Sequence, residues 1–201
     1  PELLARIRGV LRRAKEMRAQ SPLTGLPGNV RIEEEIEGRV RAQDEFAVLY
    51  ADLDHFKAYN DHYGFARGDQ AIQFTGQMLQ EVALAVGGQG TFVGHVGGDD
   101  FVIVCRADDA PGIADAVLER FDREATDLYD EQDREQRFVE VVNRRGEAQR
   151  FPLLSMSIGV ATTAIRSYSH YAEAVAVATE MKSFTKKQHE GSSWAADRRT
   201  T

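Results

Sequence analysis

The apolar positions of the chain fall into runs with two distinct periods. Phe46-Ala47-Val48-Leu49-Tyr50-Ala51-Asp52-Leu53-Asp54 is a nearly continuous apolar run that ends in acid. It predicts a strand buried on both faces and opening into a polar site at its C-terminal end. In His95-Val96-Gly97-Gly98-Asp99-Asp100-Phe101-Val102-Ile103-Val104, two glycines and two adjacent carboxylates sit between short apolar runs. This is the pattern of a β-hairpin with acid at its tip. Leu153 to Ala161 predicts another strand, with Ser155 and Ser157 on one sheet face beside a polar pocket or a small-residue packing surface. Phe138 to Val142 and residues 143–146 suggest a strand and turn within the charged stretch Asp127 to Arg150.

Helical spacing marks the other segments. Helices are expected from Val30 to about Arg41, from Phe56 to Tyr63, and from near Gly68-Asp69 onward. Ile72, Thr75, Leu79, Val82 and Val86 recur at three and four residues along the last of these, and Gly87-Gly88-Gln89-Gly90 ends it. Ile113, Val117, Phe121 and Leu128 mark a further helix, and Tyr171 to Lys187 a final one with Ala174, Ala178 and Met181 inward. Leu3, Ile7, Val10, Ala14 and Met17 form a narrow seam among arginines, a short coiled-coil pattern that the Pro- and Gly-containing segment 21–29 interrupts.

With 201 residues and a formal net charge of −7, the chain reads as one domain with an appendage, and its acidity argues against a nucleic-acid polymer as partner. The expected division is a linker helix over residues 1–20, a folded domain over 21–190 and a flexible tail over 191–201. Cys105, the one cysteine, is expected as a small buried hydrophobe. No apolar segment approaches a membrane span and the first residues lack a signal-peptide pattern, so no membrane partner and a cytoplasmic location are expected.

If the strand of residues 46–54 lies beside the hairpin, Asp52 and Asp99 approach one another and can share divalent cations; carboxylates and a backbone carbonyl suit Mg²⁺. A calcium loop is excluded by Phe56 at the next ligand position. His55, His62, His95, His170 and His189 show no metal-ligand spacing and are expected as surface or packing residues. Element order alone supports an α/β or α+β domain with a metal site.

Five motifs add more: Leu23-Thr24-Gly25-Leu26-Pro27, the run Asp52 to Asp61, Gly64 to Asp69, Gly97-Gly98-Asp99-Asp100-Phe101, and Ser155 to Ala161. In this order they resemble the GGDEF family of diguanylate cyclases over about residues 21–190. The resemblance implies an α+β sandwich related to the palm of nucleotidyl cyclases and polymerases, with a ferredoxin-like central antiparallel sheet surrounded by helices. It implies that two protomers, each holding one GTP, form a homodimer that makes cyclic di-GMP and two pyrophosphates. Two Mg²⁺ or Mn²⁺ ions per half-site are implied, held by Asp52, Asp99 and the Leu53 carbonyl, with Asp52, Asp99 and Asp100 as the catalytic acids. Asn60 and Asp69 match the residues that read guanine, Phe56 and Lys57 the phosphate loop, and Lys182 and Lys186 further phosphate contacts. Read without the family, Asn60 and Asp69 are candidate helix caps, and Lys182 and Lys186 a solvated helix face.

Departures are visible too. Asp100 stands where Glu is usual, Ser21 where an acid is common, and Phe65 where His usually follows Gly64. Gly88 and Thr91 occupy the positions of the family's Arg-x-x-Asp inhibition site, so product feedback through it is expected to be absent. The opening Pro1 to Arg13 looks like the last helix of a receiver domain, which implies a response regulator in two-component signalling. The alternative is a weak or inactive domain that serves as a GTP-binding or protein-interaction module.

Overall fold

A computed structural model describes residues 19–142 and 145–200. The seam expected over the first residues lies outside them up to residue 18. Helix α1 (Asn29–Ala42) leads into β1 (Phe46–Asp54), α2 (Phe56–Tyr63), α3 (Phe65–Gly87), β2 (Phe92–Gly97) and β3 (Asp100–Arg106). Then come α4 (Ala110–Glu124), α5 (Glu131–Gln136), β4 (Phe138–Val142), β5 (Ala148–Pro152), β6 (Ser155–Thr162), α6 (Tyr171–Gln188) and β7 (Ser193–Ala196).

Five strands form one sheet in the order β2-β3-β1-β6-β7. Its pairs are antiparallel except β6 with β7, so the expected α+β architecture with a mostly antiparallel sheet is what the chain adopts. β1 is central, and its alternation sorts the core. Ala47, Leu49, Ala51 and Leu53 join Ile72, Leu79, Ile113, Val117 and Phe121 from α3 and α4, whereas Phe46, Val48 and Tyr50 join Ile32 and Ile36 of α1 and Ala174, Val177 and Ala178 of α6. The period of two then carries both Asp52 and Asp54 to the α6 side. Gly159 on β6 lets α6 come close: a Cβ there would lie 1.9 Å from the Ala178 carbonyl oxygen and 2.1 Å from the Lys182 nitrogen.

Several expectations are corrected. Residues 191–201 are not simply a tail, because β7 closes the open edge of β6 and Asp197 is buried at 2 % exposure. Helix α3 begins at Phe65, not near Gly68, since Gly64 at φ +82° makes the break between the helices. Val86 is 45 % exposed rather than part of the buried face. Leu128 sits in a short 3-10 turn after α4.

Between α4 and β6 the chain builds α5 and a separate two-stranded ribbon, β4 with β5. Tyr129 anchors this segment by accepting the Leu154 N–H at 2.7 Å. His62 is exposed, as expected of a surface residue, and also joins α2 to α5: its Nε2 lies 2.9 Å from Asp133 Oδ2, and its Nδ1 lies 3.0 Å from the Glu140 carbonyl. Burial alone would raise the Asp133 carboxyl, but the Tyr63 hydroxyl and His62 outweigh it and hold it below its ordinary 3.8. A depressed carboxylate adds stability in full above its unfolded value and loses it as pH falls through the folded one. Asp133→Asn is therefore expected to cost about 1–3 kcal/mol at neutral pH. Thermal unfolding across pH should show that deficit closing below about 3.8; a deficit independent of pH would contradict this reading.

Candidate active site

The sheet brings the acids together. Asp52 on β1 is the register partner of Asp100 on β3, and Asp99 precedes it in the turn. Gly97 and Gly98 take φ of +144° and +59° there, angles that suit glycine and let the hairpin reverse tightly. Burial raises the Asp99 carboxyl above its ordinary range, and repulsion from Asp52 and Asp100 adds to this. Burial and the same three carboxylates push the Tyr50 hydroxyl up to about 12.

Two ammonium groups from α6 now meet this negative charge. Lys182 Nζ lies 3.2 Å from Asp52 Oδ2 and 2.8 Å from Asp100 Oδ1, and 4.7 Å above the Tyr50 ring. Lys186 contacts Asp52 Oδ1 and lies 3.0 Å from Asp54 Oδ1. Burial works against its charge, but Asp52 and Asp54 hold its ammonium above the ordinary range. These lysines are thus not a solvated face: four residues apart on α6, they turn inward together.

Asp54 was not among the expected site residues. It is 5 % exposed, and its Oδ2 accepts the Ser157 and Ser155 hydroxyls at 2.8 and 3.2 Å. Of the alternate serines, Ser155 borders a cavity beside Asp54, whereas Ser157 is buried at 1 % exposure.

The donor chemistry suits a hard divalent cation. Repelling carboxylates at one point call for positive charge, and oxygen donors fit Mg²⁺ or Mn²⁺. The Leu53 side chain is buried at 1 % exposure, so only its backbone can take part. Among the described residues no three His, Cys, Asp or Glu side chains converge as a metal cluster; two carboxylates and a carbonyl leave other positions to water and phosphate.

Asn60 and Asp69 are not caps. Asn60 lies inside α2 and Asp69 inside α3. Asn60 Oδ1 is buried without a hydrogen-bond partner, a costly state that a ligand donor would relieve. Gly68 makes room for it, since a Cβ there would lie 1.8 Å from that oxygen. Asp69 is exposed one residue later. Phe56 packs against the core and stacks on Tyr59 at 6.4 Å between ring centres. Lys57 is not brought to the carboxylates: it is exposed and pairs with Asp61 on its own helix.

His95, also expected as surface or packing, fastens the hairpin. It is 4 % exposed, stacks on Phe101 at 4.5 Å and places Nε2 3.0 Å from the Gly98 carbonyl oxygen. That oxygen only accepts, so Nε2 donates. Nδ1 faces the hydroxyls of Ser21 and Thr24 at 2.7 and 3.2 Å. Ser21, where an acid is common in the family, thus meets this ring with a hydroxyl. His95→Ala would strand these groups and open a cavity, for an expected loss of about 2–4 kcal/mol. Thermal unfolding measures it, and an unchanged midpoint would contradict the role.

Comparisons with known proteins point the same way. The family model described as "Diguanylate cyclase, GGDEF domain" matches residues 19–192. A bifunctional diguanylate cyclase/cyclic di-GMP phosphodiesterase, MucR of Pseudomonas aeruginosa, is 35 % identical over 105 residues, 49 % of this chain and 15 % of MucR. An uncharacterised 19.3 kDa protein of Streptomyces ambofaciens is 39 % identical over 101 residues, 50 % of this chain and 53 % of that protein. The matches thus span about half or less of the relatives' own length. Among solved structures, the coiled coil and GGDEF domain of DgcB from Caulobacter crescentus, in complex with c-di-GMP, superposes with a TM-score of 0.66 at 17 % identity, covering 96 % of this chain and 94 % of that one. The GGDEF domain of TpbB from Pseudomonas aeruginosa gives 0.64 at 21 % identity, covering 89 % and 95 %. At these identities the structures establish a shared fold. With Asp100 of the Gly-Gly-Asp-Asp turn in register with Asp52 of β1, and a family model spanning residues 19–192, this chain belongs to the GGDEF domain family.

Proposed function

We propose that this domain is a diguanylate cyclase that condenses two GTP into cyclic di-GMP and two pyrophosphates at the interface of a homodimer. The observation that carries the reading is the gathering of Asp52, Asp99 and Asp100 at the ends of β1 and the hairpin, where Lys182 meets Asp52 and Asp100 and Lys186 meets Asp52. In each half-reaction a 3′-hydroxyl oxygen forms a bond to the α-phosphorus of the other GTP and its proton passes to solvent, the bond from that phosphorus to the bridging oxygen breaks, and pyrophosphate leaves with the electron pair. One protomer presents one nucleotide, so two protomers must face each other. Positioning and electrostatics supply most of what such transfer needs.

Asp52, Asp99 and the Leu53 carbonyl would hold two Mg²⁺ or Mn²⁺ ions with the bound GTP, and these supply Lewis acidity for the hydroxyl and phosphates. Asp69 offers an acceptor to the guanine ring N–H and amine, and Asn60 a buried amide. Phe56 and Lys57 lie at the start of α2, where backbone N–H groups suit terminal phosphates. Lys182 and Lys186 balance phosphate charge. Phosphorylation of an upstream receiver would pair the domains in a two-component system, and any feedback through Gly88 and Thr91 is expected to be absent. Among the described residues no helix is long and apolar enough to cross a membrane.

One observation favours a second reading, a GTP-binding or docking module with little turnover. Asp100, shorter than Glu by one methylene, is engaged by Lys182 at 2.8 Å. Pyrophosphate release from GTP and ATP, measured at rising protein concentration, tests both. The cyclase reading expects release from GTP alone, with a rate per protomer that climbs with concentration. GTP binding without release in enforced dimers would establish the module instead.

A further inference from the structure

A cation at Asp52 competes electrostatically with both of its present partners. Lys182 Nζ lies 3.2 Å from one of its carboxylate oxygens and Lys186 contacts the other, so each oxygen already faces an ammonium group. The two lysines differ in what else holds them. Lys182 has Asp100 at 2.8 Å and the Tyr50 ring at 4.7 Å, and keeps both if Asp52 turns to a cation. Lys186 has, among the described residues, one other anionic partner: Asp54 Oδ1 at 3.0 Å.

Asp54 is built to stay where it is. Its other oxygen is committed to the Ser157 and Ser155 hydroxyls at 2.8 and 3.2 Å, and both serines belong to β6, a strand paired to β1 along its length. A side chain held by two hydroxyls of a neighbouring strand is poorly placed to follow a cation toward Asp52 and Asp99. Beside it opens a cavity of about 580 Å³ whose polar lining is Asp54, His55, Ser155, Lys186, His189 and Glu190; of its two carboxylates, Asp54 is the one that Lys186 contacts. This leaves the half-exposed Lys186 head room to turn away from Asp52 while remaining on Asp54.

We propose that Asp54 is a positioning residue that gives Lys186 a second seat, so that Lys186 covers Asp52 in the nucleotide-free protein and withdraws onto Asp54 when a divalent cation takes Asp52. The inference rests on the cation-site reading of Asp52 and Asp99. It adds that the cation competes with a resident ammonium group, and that a carboxylate outside the ligand set decides how readily that group yields. Once withdrawn, Lys186 stays beside the site, available to nucleotide phosphates.

The test is titration of Mn²⁺ alone into the nucleotide-free chain, followed by the EPR signal of free Mn²⁺, for wild type, Lys186→Gln, Asp54→Asn and the double variant. Lys186→Gln is expected to bind Mn²⁺ more tightly by about fivefold or more, the lower range of coupling between sites. Asp54→Asn is expected to bind more weakly by a similar factor, because Lys186 then has only Asp52 to hold. The double variant should return to the Lys186→Gln value, since Asp54 acts only through the lysine. A double variant as weak as Asp54→Asn would make Asp54 a cation ligand in its own right and overturn the proposal. Four coincident titrations, saturable or not, would also overturn it. Should Asp54→Asn not fold, Ser155→Ala with Ser157→Ala loosens the same carboxylate and should weaken Mn²⁺ binding in the same direction. Asp99→Ala in the same titration reports on the cation-site reading alone. Unchanged binding there removes that reading, whereas weaker binding there with coincident Lys186 and Asp54 variants removes only the second seat.

Discussion

Gly159→Ala is expected to destabilise the domain by more than about 3 kcal/mol, at the upper end of what overpacking costs. The atoms in the way are not movable side-chain ends. A Cβ on Gly159 would lie 1.9 Å from the Ala178 carbonyl oxygen and 2.1 Å from the Lys182 nitrogen, both backbone atoms of α6. The helix must shift outward, away from the sheet face where Ala174 and Ala178 are wholly buried. Thermal unfolding should show a midpoint lower by about 6–12 °C. The same shift would carry Lys182 and Lys186 away from Asp52, so nucleotide binding should weaken in whatever fraction remains folded. Gly38→Ala is the matched control: this glycine lies within α1, has nothing within 4 Å of a built Cβ and does not take positive φ. That change should stabilise by about 0.4–1 kcal/mol. Equal effects from the two substitutions would mean that α6 does not depend on the gap at Gly159.

Asp99→Ala is expected to lower the rate of cyclic di-GMP formation by at least about a thousandfold, because the lost cation contact contributes several kcal/mol and each 1.36 kcal/mol is tenfold. The fold should survive. Asp99 sits in a turn, and burial and two neighbouring carboxylates already penalise its charge, so removing it relieves repulsion. Single-turnover assays at saturating GTP and Mg²⁺, alongside unfolding curves, separate the two effects. A folded Asp99→Ala protein with near wild-type turnover would exclude Asp99 from the reaction.

Much of this arrangement is readable from local pattern. The apolar run from Phe46 ends in Asp52 and Asp54, and its period of two sorts the core and aims both acids at α6. The glycine pair before Asp99 needs nothing beyond backbone angles to specify a turn. What local pattern misses depends on partners distant in the chain. Ser193 to Ala196 is too short after Gly191 to show a period, and becomes a strand because β6 offers it an open edge. Gly68 reads as a helix boundary, yet it lies within α3 because Asn60 occupies the space of its missing side chain. His95 owes its role to Ser21 and Thr24, more than seventy residues away. Lys182 and Lys186 have visible helical spacing, but their inward turn follows from the close approach at Gly159. Lys57 is exposed at the start of α2, where its ammonium pairs with Asp61 one turn later, a contact that its family position does not announce.

The most direct test of the central claim is mass spectrometry of the product formed from GTP and Mg²⁺ by this chain fused to a strong dimerising coiled coil. The account predicts cyclic di-GMP and pyrophosphate in a 1:2 ratio from the fused dimer, with no cyclic product from ATP. Dimers that bind GTP and return it unchanged would contradict the assignment of Asp52, Asp99 and Asp100 to a cyclase.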